Sequence, residues 1–122
     1  MQEVLKEKDV IKFGLRGMKE FVDYNWHGRM ISIKYMLTRE EYIDLFGRIE
    51  SMCTANDGTL LPEYVDFALR MAIVATFVGI EIPSDIDEAY KLMYHSDIFD
   101  VVRNNANKAQ TESIIHYFEP WR

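Results

Sequence analysis

The sequence predicts a mainly helical α+β fold in which a β-hairpin packs on a bundle of about five α-helices. Residues 21–37 alternate between apolar and polar side chains, as two half-buried strands joined by a tight turn do. A capping-box pattern then opens a helix at Thr38, and apolar residues follow it at helical spacing. The segment 63–78 becomes almost wholly apolar after Phe67, which is typical of a helix at the centre of a core.

The N-terminal segment, residues 1–20, predicts a weak peripheral helix that packs on the rest of the chain or frays. Ile11 and Leu15 lie at helical spacing, so one side of this helix would be apolar. Gly14 and Gly17 act against it, because each lowers helix propensity by about 1 kcal/mol.

Residues 21–37 form the predicted hairpin, with His27 and Gly28 as its two-residue turn. Gly28 accepts the positive φ that such a turn requires, and His27 tolerates it better than a β-branched residue would. A two-stranded hairpin alone is marginally stable in water, so it must pack on helices or extend the sheet of a partner. The residues on its apolar faces are Val22, Tyr24, Trp26, Ile31, Ile33, Tyr35 and Leu37.

The helical region is predicted to cover residues 38–119, and Thr38 opens its first helix. The Thr38 hydroxyl is expected to accept a hydrogen bond from the backbone amide of Glu41, while the Glu41 carboxylate reaches back. Such a cap is worth about 1 kcal/mol. The turn-forming residues 54–60 end this helix. Its predicted buried stripe consists of Tyr42, Leu45, Phe46, Ile49, Met52 and Cys53.

The central helix is expected to begin near Pro62, since proline suits the first positions of a helix. Asp66 and Arg70 are four residues apart and can pair on its one wet edge. Gly79 is a natural stop for this helix.

Three short helices are predicted after the central one. Ser84 is the expected N-cap of the first, and the acidic residues that follow suit the helix dipole. The second covers residues 97–105. Asn107 opens the third, and Gln110 stands three residues further on, as in a capping box. Pro120 ends this last helix.

The composition fits one domain that spans residues 1–122, with 48% apolar and 28% charged residues and a net charge of −6. Residues 1–48 carry about +1 and residues 49–122 about −7, so the second part is strongly acidic. Because such a surface repels phosphate groups, neither nucleic acid nor an anionic membrane is an expected partner. The N-terminus lacks the apolar segment of a signal peptide, and no apolar run reaches the ~20 residues of a membrane span. These features predict a cytoplasmic protein.

No arrangement of residues predicts a catalytic or metal site. Cys53 would need His27, His95 or His116 as a base to act as a nucleophile. It falls in the apolar stripe of its helix, where a free cysteine usually behaves as a small hydrophobic residue. The histidines are far apart and show none of the spacings of a structural zinc site. The sequence therefore predicts no enzymatic activity, no cofactor and no metal.

Aromatic side chains are the stronger functional candidates, and they predict a surface that binds protein. The rings of the hairpin either pack on the central helix or form a contact site for another chain, and both interpretations stay open. Trp121 is likewise either an exposed anchor or a tucked-in residue. The predicted interaction residues are Tyr24, Trp26, Arg29, Ile33, Tyr35 and Trp121.

Five stretches follow one another in an informative order: WHG, YML, TREE, PEYVDFALRMAIVATF and IEIPSDIDEAYKLMYHSDIFDVV. This order resembles that of small, mostly uncharacterised proteins encoded by phages and prophages of Gram-positive and gut bacteria. The resemblance covers roughly residues 22–118 and carries over no catalytic residue. It implies a role in the virion or in its assembly, such as a tail or head–tail accessory or an assembly chaperone.

The predicted function is therefore that of a non-enzymatic phage-type structural or assembly protein that acts through protein–protein contacts. Its expected partners are phage structural proteins and further copies of itself, because symmetric homo-oligomers are common. The expected location is the cytoplasm of the bacterial host or the virion. An alternative is a small acidic inhibitor or regulator of a host protein, whose acidic second half would occupy a basic groove.

Overall fold

An antiparallel hairpin leads into a bundle of helices, which confirms the mainly helical α+β fold. The computed structural model describes residues 4–122, so residues 1–3 of the predicted N-terminal helix lie outside the described residues. Within residues 4–122 the elements are α1 (Glu7–Gly14), β1 (Phe21–Trp26), β2 (Arg29–Lys34), α2 (Arg39–Met52), α3 (Pro62–Phe77), α4 (Ile86–Tyr94), α5 (Ile98–Asn105), α6 (Lys108–Phe118) and a final 3₁₀ turn (Glu119–Trp121).

The hairpin has the predicted turn and the predicted alternation, but its second strand ends at Lys34 instead of residue 37. Strands β1 and β2 pair antiparallel, with Val22 opposite Ile33. His27 and Gly28 take φ values of 52° and 88°, the positive pair that a tight two-residue hairpin turn requires. The side chain of Asn25 accepts a hydrogen bond of 2.8 Å from the Gly28 amide and so closes the turn.

The outer edge of β2 is partly covered by the chain that leaves α3. Val78 turns to extended backbone after the last residue of α3 and forms an antiparallel bridge with Ile33. The helix therefore ends before Gly79, the predicted stop. Ile33 has no exposed surface, so it belongs to the core and was wrongly placed among the interaction residues. Its alternating position is the same for a buried face and for a contact face, and only packing distinguishes the two.

Helix α2 begins with the capping box that the sequence predicts. The Thr38 hydroxyl accepts from the Glu41 amide at 3.2 Å, and the Glu41 carboxylate accepts from the Thr38 amide at 3.0 Å. A hydrogen bond from Lys34, followed by that of the Thr38 amide, holds the pKa of Glu41 below its ordinary value. The hairpin and α2 are thereby joined by a charged contact as well as by the chain.

The buried stripe of α2 is narrower than predicted. Leu45, Ile49 and Cys53 are buried, whereas Met52 is exposed, so its predicted burial was wrong. At the end of α2 the core-facing side runs from Ile49 to Cys53. Met52 lies about 100° around the helix from Cys53, which turns its side chain towards solvent.

Helix α3 is the centre of the core, and its first residue is Pro62 as predicted. It contacts α2, α4, α5, α6 and the 3₁₀ turn. None of the helices among residues 4–122 is both long and apolar enough to cross a membrane. The buried residues of α3 are Val65, Phe67, Ala68, Leu69, Ala72, Ile73, Val74 and Phe77.

Arg70 lies on a partly exposed edge of α3. Its guanidinium donates to Asp66 at 2.9 Å, which confirms the predicted pair. The same group lies 4.6 Å and 4.7 Å from the ring centres of Tyr94 and Phe99, so it also packs against α4 and α5 by cation–π contact.

The N-cap of α4 was predicted one residue too early. The structure uses Asp85 instead of Ser84, and the Asp85 carboxylate accepts from the Glu88 amide at 3.0 Å. Both residue types make good caps, but the carboxylate adds a favourable interaction with the positive end of the helix dipole.

Helix α6 is capped by Asn107 as predicted, but Gln110 does not complete a capping box. The Asn107 side-chain oxygen accepts from the Gln110 backbone amide at 3.0 Å. The backbone amide of Asn107 donates to the Tyr35 carbonyl at 2.8 Å. The Gln110 side chain instead pairs with the backbone of Leu37. Its oxygen accepts from the Leu37 amide at 2.7 Å, and its nitrogen donates to the Leu37 carbonyl at 3.0 Å. The start of α6 is therefore fastened to the link between hairpin and α2.

We expect Gln110→Ala to lower the free energy of unfolding by about 2 kcal/mol, because both backbone groups of buried Leu37 lose their partner. Urea denaturation followed by circular dichroism measures this change. The exposed neighbour Lys108→Ala is the matched control and should change stability by less than about 0.5 kcal/mol. Equal effects of the two substitutions would contradict the role given to Gln110.

Candidate functional site

The aromatic face of the hairpin packs mainly on the body of the protein. Tyr24 and Trp26 are half-buried against the core. The Trp26 indole also donates to the Asp97 carboxylate at 2.8 Å, and this hydrogen bond holds the pKa of Asp97 below its ordinary value. Of the two interpretations of these rings, packing accounts for most of their surface.

The other predicted interaction residues are spread over several parts of the surface. Tyr35 is half-buried and lines a shallow recess with Val22, while Arg29 is exposed beside the hairpin turn. Ile33 is fully buried, as described above. Trp121 lies in a different recess, between α2, α3 and α6. The structure therefore does not bring the six predicted residues together in one site.

An unfilled groove of about 570 Å³ lies between α2 and α6. A smaller recess of about 160 Å³ adjoins the groove, and Tyr117 lines both spaces. Leu60 and Trp121 extend the apolar surface into this recess. We call the larger space the aromatic groove. It is lined by Tyr42, Ile43, Phe46, Ser113, His116 and Tyr117.

A chain of aromatic rings forms the floor of this surface. The ring centres of Tyr42 and Phe46 are 5.1 Å apart, those of Phe46 and Tyr117 are 5.0 Å apart, and those of Tyr117 and Trp121 are 6.3 Å apart. The first two pairs meet edge to face, the arrangement that aromatic quadrupoles favour. Tyr42 and Ser113 share a hydrogen bond of 2.8 Å between their hydroxyls, which links α2 to α6 across the groove.

Much of this apolar surface stays in contact with water. Ile43, Tyr117 and Trp121 are 55%, 50% and 40% exposed. Clustered apolar exposure around a groove is typical of surfaces that bind another chain, whereas apolar residues scattered singly carry no such meaning. Of the predicted interaction residues, Trp121 is the one that belongs to this surface.

Arg122, the neighbour of Trp121, is bound to α3 through Asp66. The Asp66 carboxylate accepts from Arg122 at 2.7 Å, from Arg70 at 2.9 Å and from the Tyr94 hydroxyl at 2.6 Å. Burial acts to raise the pKa of Asp66, but these hydrogen bonds outweigh it and hold the pKa below its ordinary value. Burial, and then the Asp66 carboxylate, raises the pKa of Tyr94, so its phenol remains a donor.

Cys53 is fully buried, as predicted, and its thiol donates to the Ile49 carbonyl at 3.1 Å. Burial raises the pKa of this thiol, which disfavours the thiolate that a nucleophile requires. Among residues 4–122, no three His, Cys, Asp or Glu side chains converge as metal ligands.

The aromatic groove was not predicted from the sequence. Tyr42 and Phe46 were assigned to the buried stripe of α2, and both are in fact half-buried. The one local signal was Ile43, an apolar residue outside that stripe. Its partner across the groove, Tyr117, is 74 residues away in the chain, so no spacing pattern joins the two.

Scans of the chain against models of protein families, against curated proteins and against solved structures each found no match. Its function must therefore be inferred from the sequence and from the surface itself.

We expect Trp26→Ala to destabilise the fold by roughly 1–2 kcal/mol, less than the ~3–5 kcal/mol of a fully buried aromatic residue. The half-buried ring leaves a cavity against the core, and the Asp97 carboxylate loses its indole partner. Thermal and urea unfolding measure the change. Met30→Ala, on the opposite and exposed face of the hairpin, is the control. A Trp26→Ala protein as stable as this control would show that the ring does not support the fold.

Acid should weaken the hydrogen bonds and ion pairs of the Asp66 carboxylate. Its folded-state pKa lies below the ordinary value of 3.8, so its ionised form stabilises the fold at neutral pH. This contribution is lost as the pH falls through the folded-state pKa, and stability should decline below about pH 4. Asp66→Asn should lower stability at pH 7 and flatten the decline between about pH 4 and pH 2.

Urea midpoints measured at a series of pH values for both proteins test this expectation. Asp44→Asn, which changes an exposed carboxylate on α2, serves as the control. If Asp66→Asn left the pH dependence as steep as in the parent chain, the pH response could not be assigned to Asp66.

Proposed function

We propose that this protein is a non-enzymatic, phage-type structural or assembly subunit that binds other protein chains through the aromatic groove. One observation carries the proposal: Ile43, Tyr117 and Trp121 stay exposed around an apolar groove while the core beneath them is complete. Removing such a surface from water is favourable, and this requires another apolar surface to cover it.

The shape and chemistry of the groove support a helical ligand. A cleft between two helices accepts the apolar side of a third, with its side chains entering the space between the two. A few polar groups interrupt the otherwise apolar lining, namely the hydroxyls of Tyr42 and Tyr117 and the imidazole of His116. This composition suits a binding surface. The expected ligand is therefore the apolar side of an amphipathic helix.

The phage context rests on the order of sequence features across residues 22–118. It favours phage structural proteins and copies of this chain as partners, in the cytoplasm of the bacterial host or in the virion. The net charge of −6 supports protein partners over nucleic acid, because phosphates would be repelled.

The proposal can be tested in a phage or prophage that carries this gene. We expect Ile43→Asp, which puts a charge into the aromatic groove, to reduce the yield of infectious particles by about tenfold or more. Electron microscopy should then show unfinished heads or tails. Met30→Asp places the same charge on a similarly exposed apolar residue of the hairpin and should leave the yield unchanged.

A phage that lacks the gene and still forms infectious particles at the normal yield would contradict the assembly function. The alternative function is that of a regulator of a host protein, and the salt dependence of binding distinguishes the two functions. Binding through the acidic surface would weaken steeply as salt rises, whereas binding through the apolar groove would not.

A further inference from the structure

Helix α1 carries apolar side chains that its own chain does not cover. Val10, Ile11 and Phe13 are 48%, 61% and 54% exposed, and no residue of α1 is buried. Lys8 and Lys12 are four residues apart and lie opposite Val10 and Phe13, while Ile11 lies between the two sides. The helix is thus amphipathic and lacks a covering surface within its own chain.

Apolar side chains also flank α1, since Leu5 before it and Leu15 after it are each 56% exposed. Isolated helices shorter than ~12–15 residues are marginally stable in water, and α1 has eight residues. A surface that covers its apolar side would therefore stabilise both its contacts and its helical form.

The two helices that form the aromatic groove are long enough to carry α1 between them. An eight-residue helix is about 12 Å long, and α2 and α6, with 14 and 11 residues, are both longer. The apolar side of α1 would meet Ile43, Phe46 and Tyr117, the groove residues that lie between the two helices.

The segment that contains α1 and the rest of the chain carry opposite net charges. Residues 4–20 carry five basic and three acidic side chains, whereas residues 21–122 carry nine basic and sixteen acidic ones. Helix α2, one wall of the groove, carries four acidic and two basic side chains. Among the acidic ones, Glu50 lines the adjoining recess, and Glu40 lies one turn before Ile43. With its apolar side in the groove, α1 would present Lys8 and Lys12 at this acidic rim.

We propose that α1 of one copy occupies the aromatic groove of a second copy, and that the exchange is reciprocal in a symmetric dimer. This inference rests on the proposed function and specifies its ligand as a second copy of this chain. The reciprocal contact is formed twice about a two-fold axis, as in most homodimers. Doubling brings a contact of this small size closer to the ~1,200–2,000 Å² that specific interfaces bury.

The test measures the mass of the full chain by sedimentation equilibrium over a range of concentrations. We expect a dimer, and we expect Ile11→Asp in α1 and Ile43→Asp in the groove each to raise its dissociation constant at least about tenfold. Met30→Asp, on the exposed hairpin face, is the control and should leave the constant unchanged. Circular dichroism checks that each variant is folded, and Tyr117→Asp replaces Ile43→Asp if that variant is not.

A mixture of the two variants separates exchange from other kinds of dimer. The Ile11→Asp chain keeps an intact groove, and the Ile43→Asp chain keeps an intact α1. A mixed dimer therefore contains one undamaged contact, so the mixture should associate at concentrations where either variant alone is monomeric.

A parent chain that is monomeric at all concentrations would overturn the exchange, as would a dimer that tolerates both substitutions or a mixture that fails to associate. A monomer that becomes more sensitive to protease on Ile11→Asp would show that α1 closes on its own groove instead. Loss of infectious particles on Ile43→Asp in a monomeric protein would retain the proposed function while rejecting this ligand.

Discussion

The burial of most of α3 is the constraint on which the rest of the structure depends. After Phe67 this helix is almost wholly apolar, so its neighbours must cover most of its surface. Helices α2, α4, α5 and α6 each contact it, and the bridge between Val78 and Ile33 closes its end with the hairpin. Because α2 and α6 both lie on α3, the space between their outer sides becomes the aromatic groove.

The elements that the sequence predicts well are those whose signals are local. The turn at His27 and Gly28 and the capping box of Thr38 and Glu41 involve residues no more than three positions apart, so their pattern is sufficient. Gln110 shows where this reasoning fails. Its position matches a capping box, yet its side chain pairs with the backbone of Leu37, 73 residues earlier in the chain. Long-range contacts of this kind leave no local pattern to read.

The candidate site was less predictable than the fold for the same reason. Alternation along a strand places Trp26 and Ile33 on one side of the hairpin but does not say whether that side meets the core or a partner. Its burial shows that Ile33 meets the core. The hydrogen bond to Asp97 shows that Trp26 also packs mainly on its own chain. Ile43 and Tyr117 are each unremarkable in sequence, and only the packing of α2 and α6 on α3 brings them together.

The surfaces left uncovered are informative because the core does not need them. A chain that buries its central helix this completely has no structural reason to keep apolar side chains in water on α1 and around the aromatic groove, where they favour aggregation. Two such surfaces in one chain can cover each other between copies, which removes both from water at once. That pairing gives the exposed residues a use that neither surface has alone.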